Sequence, residues 1–289
     1  MMPVVFCGLN VKHDIEKGKL PALLVVSFFL IQFFFSGAGN YLLEHGQKMQ
    51  VLELFSFSLT SPIPYLFFFF GMLFLLSGVP RVGEDTLFYL IRSGRIVWLV
   101  GQYLFILLIT VVYLLWLFLC FLVALKWQVS FTNEWSQPAI LVCQTNIVQN
   151  IGININVWFP YELIQNYTPL SLFLTEVLVQ LLLFFMIGSL LVCLRLYGLH
   201  KIPYIIILVL WMQSFLFQQF DVKPVFFKLC PVGASWPVYW DYGYLKGAPT
   251  IRYVLCFYIF FGALLVLLSM RQMKQVDMSE IGKNKEESE

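Results

Sequence analysis

Six stretches of this chain qualify or nearly qualify, by length and apolar character, to cross a bilayer, and that feature limits the fold more than any other. They run over about 20–37, 62–79, 96–125, 169–194, 203–220 and 250–270. A hydrocarbon core about 30 Å thick takes roughly 20 apolar residues in a helix. Only helices that satisfy their own backbone, or closed barrels, survive in lipid. Helical runs of this length therefore predict an all-α integral membrane protein with six transmembrane helices. The third run is the longest, and it must tilt or project beyond the bilayer.

Composition agrees. Of 289 residues, 60% are hydrophobic and 12% charged, too apolar for a water-soluble core. The net charge of +2 has no basic stripe behind it, so nucleic acid is not an expected partner. No two of the six cysteines form a C-x-x-C pair, and no zinc or other metal site is expected. Cys143 and Cys230 both fall in segments placed outside, where pairing stays open.

Lys and Arg set the orientation. With residues 1–19 cytoplasmic, the inner segments hold Lys12, Lys17, Lys19, Arg81, Arg92, Arg95, Arg195, Lys201, Arg271, Lys274, Lys283 and Lys285. The outer ones hold Lys48, Lys126, Lys223, Lys228, Lys246 and Arg252. Both termini are then cytoplasmic, with 1–19 an amphipathic segment, 20–270 the transmembrane domain and 271–289 a charged tail. The stretch 139–159 is fairly apolar, but Asn146, Asn150, Asn154 and Asn156 weigh against a seventh span. It reads as part of an external loop, with strand-like alternation in IGININV.

Charge is concentrated between the second and third spans, in RVGEDTLFYLIRSGRIVW. Glu84 and Asp85 fall in the first turn of a short helix, Arg92 and Arg95 at its end, and Gly94 is a natural stop. That order complements the helix dipole. Leu87, Leu90 and Ile91 share one face. An amphipathic helix at the inner membrane surface follows, spanning about 84–95. It reads either as a positive-inside anchor or as a docking helix that receives force from a cytoplasmic partner.

The order EDTLFYLIRSGRIVWLVGQYLFILLITVVYLLW resembles the cytoplasmic coupling region of type-2 ATP-binding-cassette permeases. Glu84, Asp85, Thr86, Leu90, Ser93 and Arg95 sit at matching places, and Trp98–Gln102 resembles permeases of Gram-positive bacteria. Asp85-Thr86 stands where the pattern usually has Gly-Thr, and Ser93-Gly94 where it has Ser-Pro. The resemblance implies a permease subunit of an ATP-driven exporter in a bacterial plasma membrane. A separate ATPase chain would dock on Glu84, Asp85, Thr86, Leu87, Leu90, Ile91, Arg92, Ser93 and Arg95. It also implies a second permease subunit, identical or related. ATP and Mg would be bound by the ATPase, because this chain has no phosphate-binding G-x-x-x-x-G-K-[ST] loop.

Catalysis within the chain has little support. No H-E-x-x-H or G-x-S-x-G motif occurs. Glu176 is the one acid placed within a span. An intramembrane acid is a functional candidate. It would meet a cationic part of a cargo, or serve as a structural Glu beside Gln180 one turn away. An amphipathic peptide or lipid-like cargo suits aliphatic and aromatic walls. A membrane enzyme acting on lipid or peptide, and a non-transporting immunity or sensor subunit of the same fold, are the alternatives.

Overall fold

The computed structural model describes residues 2–81, 94–145, 153, 159–220, 223–241 and 246–275. The described residues are helical apart from turns, with one isolated backbone bridge between Met49 and Val129. The helices are α1 (Met2–Glu16), α2 (Lys19–His45), α3 (Val51–Thr60), α4 (Pro62–Leu76), α5 (Arg95–Ala124) and α6 (Gln137–Thr145). They continue with α7 (Tyr161–Asn166), α8 (Pro169–Leu196), α9 (Ile202–Gln219), the single turn α10 (Pro231–Ala234) and α11 (Ile251–Met273). Two 3₁₀ turns, Pro224–Leu229 and Pro237–Tyr239, flank α10.

Four helices, α2, α5, α8 and α11, are long and apolar enough to cross a membrane. Their ends follow local chemistry. Pro169 opens α8 behind Thr168, whose hydroxyl accepts from the Ser171 N–H at 3.3 Å. Thr250 caps α11 in the same way through Tyr253 N. Gly46, in the left-handed region, closes α2.

The other two expected spans differ. Pro62 does start a helix, but α4 has 15 residues, about 22 Å of rise, and falls short of the hydrocarbon thickness. The missing length is supplied by α3, which meets α4 at 89° across extended Ser61, so the pair makes at most one bent span. The expected fifth span is α9, whose apolar stretch covers Ile202–Phe217 and is also short. The described residues therefore hold four crossing helices, or five with the bent pair.

The helix ends gather at two poles. At one, Lys19 at the start of α2 donates to Ser77 Oγ just after α4 (3.2 Å). Arg195 at the end of α8 and Tyr204 at the start of α9 both donate to the Ser77 carbonyl (2.8 and 2.7 Å). Arg95 at the start of α5 donates to the Lys274 carbonyl after α11 (3.5 Å). At the far pole, Met49 N donates to Gln128 O (3.1 Å), and Trp135 Nε1 donates to Tyr167 O (2.8 Å).

Between the poles the core is built on close backbone approach and interlocked rings. Gly39 of α2 faces the Ala124 carbonyl, where a Cβ would come within 2.3 Å. Phe121 of α5 takes edge contacts from Phe35, Phe55 and Phe68 at 5.2, 6.2 and 6.4 Å between centroids. The expected N-terminal amphipathic segment is helical as α1, and it packs across the first turns of α5. Gly101 of α5 admits it, since a Cβ there would meet Phe6 at 2.6 Å. Its inward face includes Asn10 and Asp14, whereas Val4 and Val5 are exposed.

Candidate functional site: two buried polar clusters

The first cluster lies at the pole of Lys19 and Arg195, around Arg81, the last described residue before the charged stretch. Arg81 is buried and its guanidinium has four uses. Nη2 donates to Asp14 Oδ2 (2.6 Å), and Nη1 donates to the Asn10 carbonyl (2.6 Å). Nη2 also reaches the Leu75 carbonyl (3.4 Å), and the guanidinium lies over the Phe105 ring (4.6 Å). The Arg81 backbone is held as well. Its N–H donates to Gln102 Oε1 (3.2 Å), and its carbonyl accepts from Trp98 Nε1 (3.2 Å). Asn10 Nδ2 donates to the same Gln102 oxygen (3.0 Å). A planar, always charged fork suits such a site better than an ammonium would.

The sequence counted Arg81 among the cytoplasmic cations of the charged stretch. The structure shows that it is buried and bonded to α1 and α5. Of the proposed docking residues, Glu84, Asp85, Thr86, Leu87, Leu90, Ile91, Arg92 and Ser93 lie outside the described residues. Arg95 is described, and it opens α5. A second arginine, Arg195, is fixed beside this cluster by carbonyls. It holds Ser77 O at 2.8 Å and also bonds Val79 O and the Tyr204 hydroxyl.

The second cluster lies in the interior, between α3, α4, α8 and the turns around α10. Glu176 and Gln180 are both fully buried and one turn apart on α8, as their spacing requires. They do not bond each other. Ser56 Oγ of α3 donates to Glu176 Oε2 (2.6 Å), and Tyr65 of α4 donates to Gln180 Oε1 (3.3 Å). Tyr65 also shares a 2.9 Å bond with Ser235 Oγ. Among the described residues, Glu176 Oε1 and Gln180 Nε2 have no partner. The cluster therefore offers a free acceptor beside a free donor. Nine other buried polar atoms among the described residues share this state, Asp14 Oδ1, Arg81 Nε and Gln102 Nε2 of the first cluster among them.

The bend between α3 and α4 brings the cluster together. Ser58, Thr60 and Ser61 turn their hydroxyls back onto the carbonyls of Phe55 (2.6 Å), Phe57 (3.1 Å) and Phe57 (2.7 Å). These hydroxyls bond back into α3, and the Phe57 carbonyl also accepts from Ser61 N (3.2 Å). Ser56 instead spends its hydrogen on Glu176.

A second buried acid, Glu53, was not singled out in the sequence. Its Oε1 accepts from Ser136 N (2.6 Å), and its Oε2 accepts from Ser136 Oγ (2.6 Å) and Gln50 N (3.1 Å). The capping-box spacing of Gln50 and Glu53 was the available signal. The described residues hold no group of three His, Cys, Asp or Glu able to bind a metal. Cys143 and Cys230 are both free and buried, so they are not paired with each other. Burial pushes the Cys143 thiol up to about 12. Within the alternating stretch 151–157, Ile153 is described, as a buried residue outside any strand.

No family model, no curated protein and no solved structure matches this chain.

Proposed function

We propose that the chain is the permease subunit of an ATP-driven exporter. It forms half of a pathway completed by a second permease subunit, identical or related, and it couples to a separate ATPase chain that binds ATP and Mg. In this reading α3–α4 and α9 complete a six-span layout, and both termini are cytoplasmic in a bacterial plasma membrane.

The observation that carries the reading is the tie at Arg81. Arg81, the last described residue before 82–93, is bonded to α1 and α5, and α5 itself begins at Arg95 just after that stretch. Trp98 closes the base by bonding the Arg81 carbonyl. In this reading a displacement applied to 82–93 is passed through the bonds of Arg81 to α1, α5 and the end of α4. That arrangement suits a docking helix at about 84–95 better than a slack loop. Glu176 and Gln180 supply the polar contact for a cationic group on an amphipathic cargo.

The test is a photocrosslinking amino acid placed at Leu87, Leu90 or Ile91 in cells that carry the native neighbouring genes. Capture of a nucleotide-hydrolysing protein is expected from these positions and not from Val25 or Phe260, which face outward within α2 and α11. Capture from none of the three positions rejects the reading.

A further inference from the structure

A cavity of about 500 Å³ lies at the far pole, between the start of α3, the end of α5, the start of α8 and the loop 127–133. This size falls within the range of small-ligand pockets. Val51, Phe118, Leu122, Val129, Phe131 and Leu170 give it aliphatic and aromatic walls.

The cavity is built and held open by bonds. Lys126 and Trp127 take left-handed backbone angles (φ 49° and 62°), unusual for two residues with side chains. They carry the chain over the end of α5 and leave Trp127 74% exposed. Met49 then pins the loop through Gln128 O and Ser130 N (3.1 Å each). The Gln50 amide bonds the Thr132 and Glu134 carbonyls, and buried Glu53 fastens Ser136. The loop cannot collapse into the space without breaking these contacts.

The surroundings identify the occupant. Leu170 on the wall begins an outward row with Leu174 and Leu178 on α8. Leu115 and Leu119 form a matching exposed row on α5, below Leu122. Both helices are long and apolar enough to span a membrane, and where they do so these outward rows meet hydrocarbon. The Phe118–Phe173 ring contact (5.7 Å) closes the seam behind them. The cavity is thus continuous with the lipid-facing seam of α5 and α8.

The lining is almost wholly apolar, and its polar side chains, Gln50, Ser130, Thr132 and Asn133, belong to the α3 start and the loop. Asn133 Oδ1 accepts from Leu170 N (3.2 Å), and the Gln50 amide serves the two loop carbonyls. A peptide backbone would find few partners there, whereas a hydrocarbon chain needs none.

We infer that this cavity is a binding site for one acyl chain of a bilayer glycerophospholipid, drawn from the α5–α8 seam, with the headgroup at the Ser130–Asn133 rim. Transfer from bilayer to pocket gains little from the hydrophobic effect, since both are apolar. Retention comes instead from filling a space that the pinned loop keeps open. The inference rests on no part of the exporter reading.

The full chain is reconstituted in vesicles of phosphatidylcholine carrying a mid-chain diazirine, irradiated, and mapped by peptide mass spectrometry. Several-fold more adduct is expected on 118–133 than around Phe260, an outward residue of α11 that reports ordinary lipid contact. Val129→Trp fills the cavity, and Leu170→Trp blocks it from an exposed position that tolerates bulk. Each should reduce labelling of 118–133 to the Phe260 level. Equal labelling at the two places in the native chain overturns the site. So does unchanged labelling in a folded Leu170→Trp variant, or displacement of the label by an amphipathic peptide but not by excess unlabelled lipid.

Discussion

Arg81 shows what one residue does at the base of the charged segment. Its guanidinium is buried against Asp14, and the pair is held by carbonyls of α1 and α4. Removing one member leaves the other charged and without its partner, which costs about 3–5 kcal/mol. Arg81→Met should therefore lower the unfolding midpoint of the purified protein sharply. The double change Arg81→Met with Asp14→Leu should recover most of it, because it removes the orphan charge. Equal loss in both variants would locate the damage in packing rather than in charge.

Glu176 makes the opposite prediction. Glu176→Gln keeps the shape and an oxygen for the Ser56 hydroxyl, so stability should change by no more than about 1 kcal/mol. Under the proposed function, export of a cationic cargo should fall about tenfold, equivalent to ~1.4 kcal/mol. Unchanged export by the variant in vesicles removes Glu176 from the pathway. The sequence marked Glu176 because an acid inside an apolar run stands out. It gave no sign of Ser56, 120 positions away, since one sequence does not display tertiary partners. Nor did it show that Arg81 is buried against Asp14, 67 residues upstream.

At the scale of elements, hydropathy located lengths well and directions poorly. The expected spans at 20–37, 96–125, 169–194 and 250–270 correspond to α2, α5, α8 and α11; α8 begins at the expected Pro169 behind Thr168, whereas α2 runs on to His45, where Gly46 stops it. The run at 62–79 proved to be half of a bent pair, because counting apolar residues does not register an 89° turn at Ser61. The apolar sequence of α3 gave no local cue that it packs against α8 beside Glu176 rather than lying in a loop.

Close packing of α2 on α5 was also invisible from composition, and it depends on Gly39. Gly39→Ala places a methyl 2.3 Å from the Ala124 carbonyl, so the helices must separate. Overpacking of this kind costs about 1–3 kcal/mol. The loss should appear as a lower unfolding midpoint in detergent. Cysteine crosslinks bridging Gln32 of α2 and Cys120 of α5, which touch in the native chain, should weaken with it. An unchanged midpoint would mean that the α2–α5 contact is soft.

At the scale of the whole molecule, the poles separate charge. Among the described residues Lys12, Lys17, Lys19, Arg81, Arg95, Arg195, Lys201, Arg271 and Lys274 lie toward one end of the helices, and Lys48, Lys126, Lys223, Lys228, Lys246 and Arg252 toward the other. Cations near span ends favour the cytoplasm, so the pole of Arg81 should be the inner one. The native thiols leave a clean background for a labelling test. Cys256 is exposed and is replaced by Ser, while the other five are buried. A buried thiol held away from its thiolate form reacts slowly, as the raised value at Cys143 requires. Single cysteines at exposed Lys17 and Lys201 then report one pole, and at exposed Trp127 and Leu229 the other. A membrane-impermeant maleimide should label Trp127→Cys and Leu229→Cys in intact cells, and Lys17→Cys and Lys201→Cys in inside-out vesicles. The reverse pattern would turn segment 82–93 toward the exterior, where no ATPase could grip it, while leaving the Arg81 tie and the acyl-chain cavity intact.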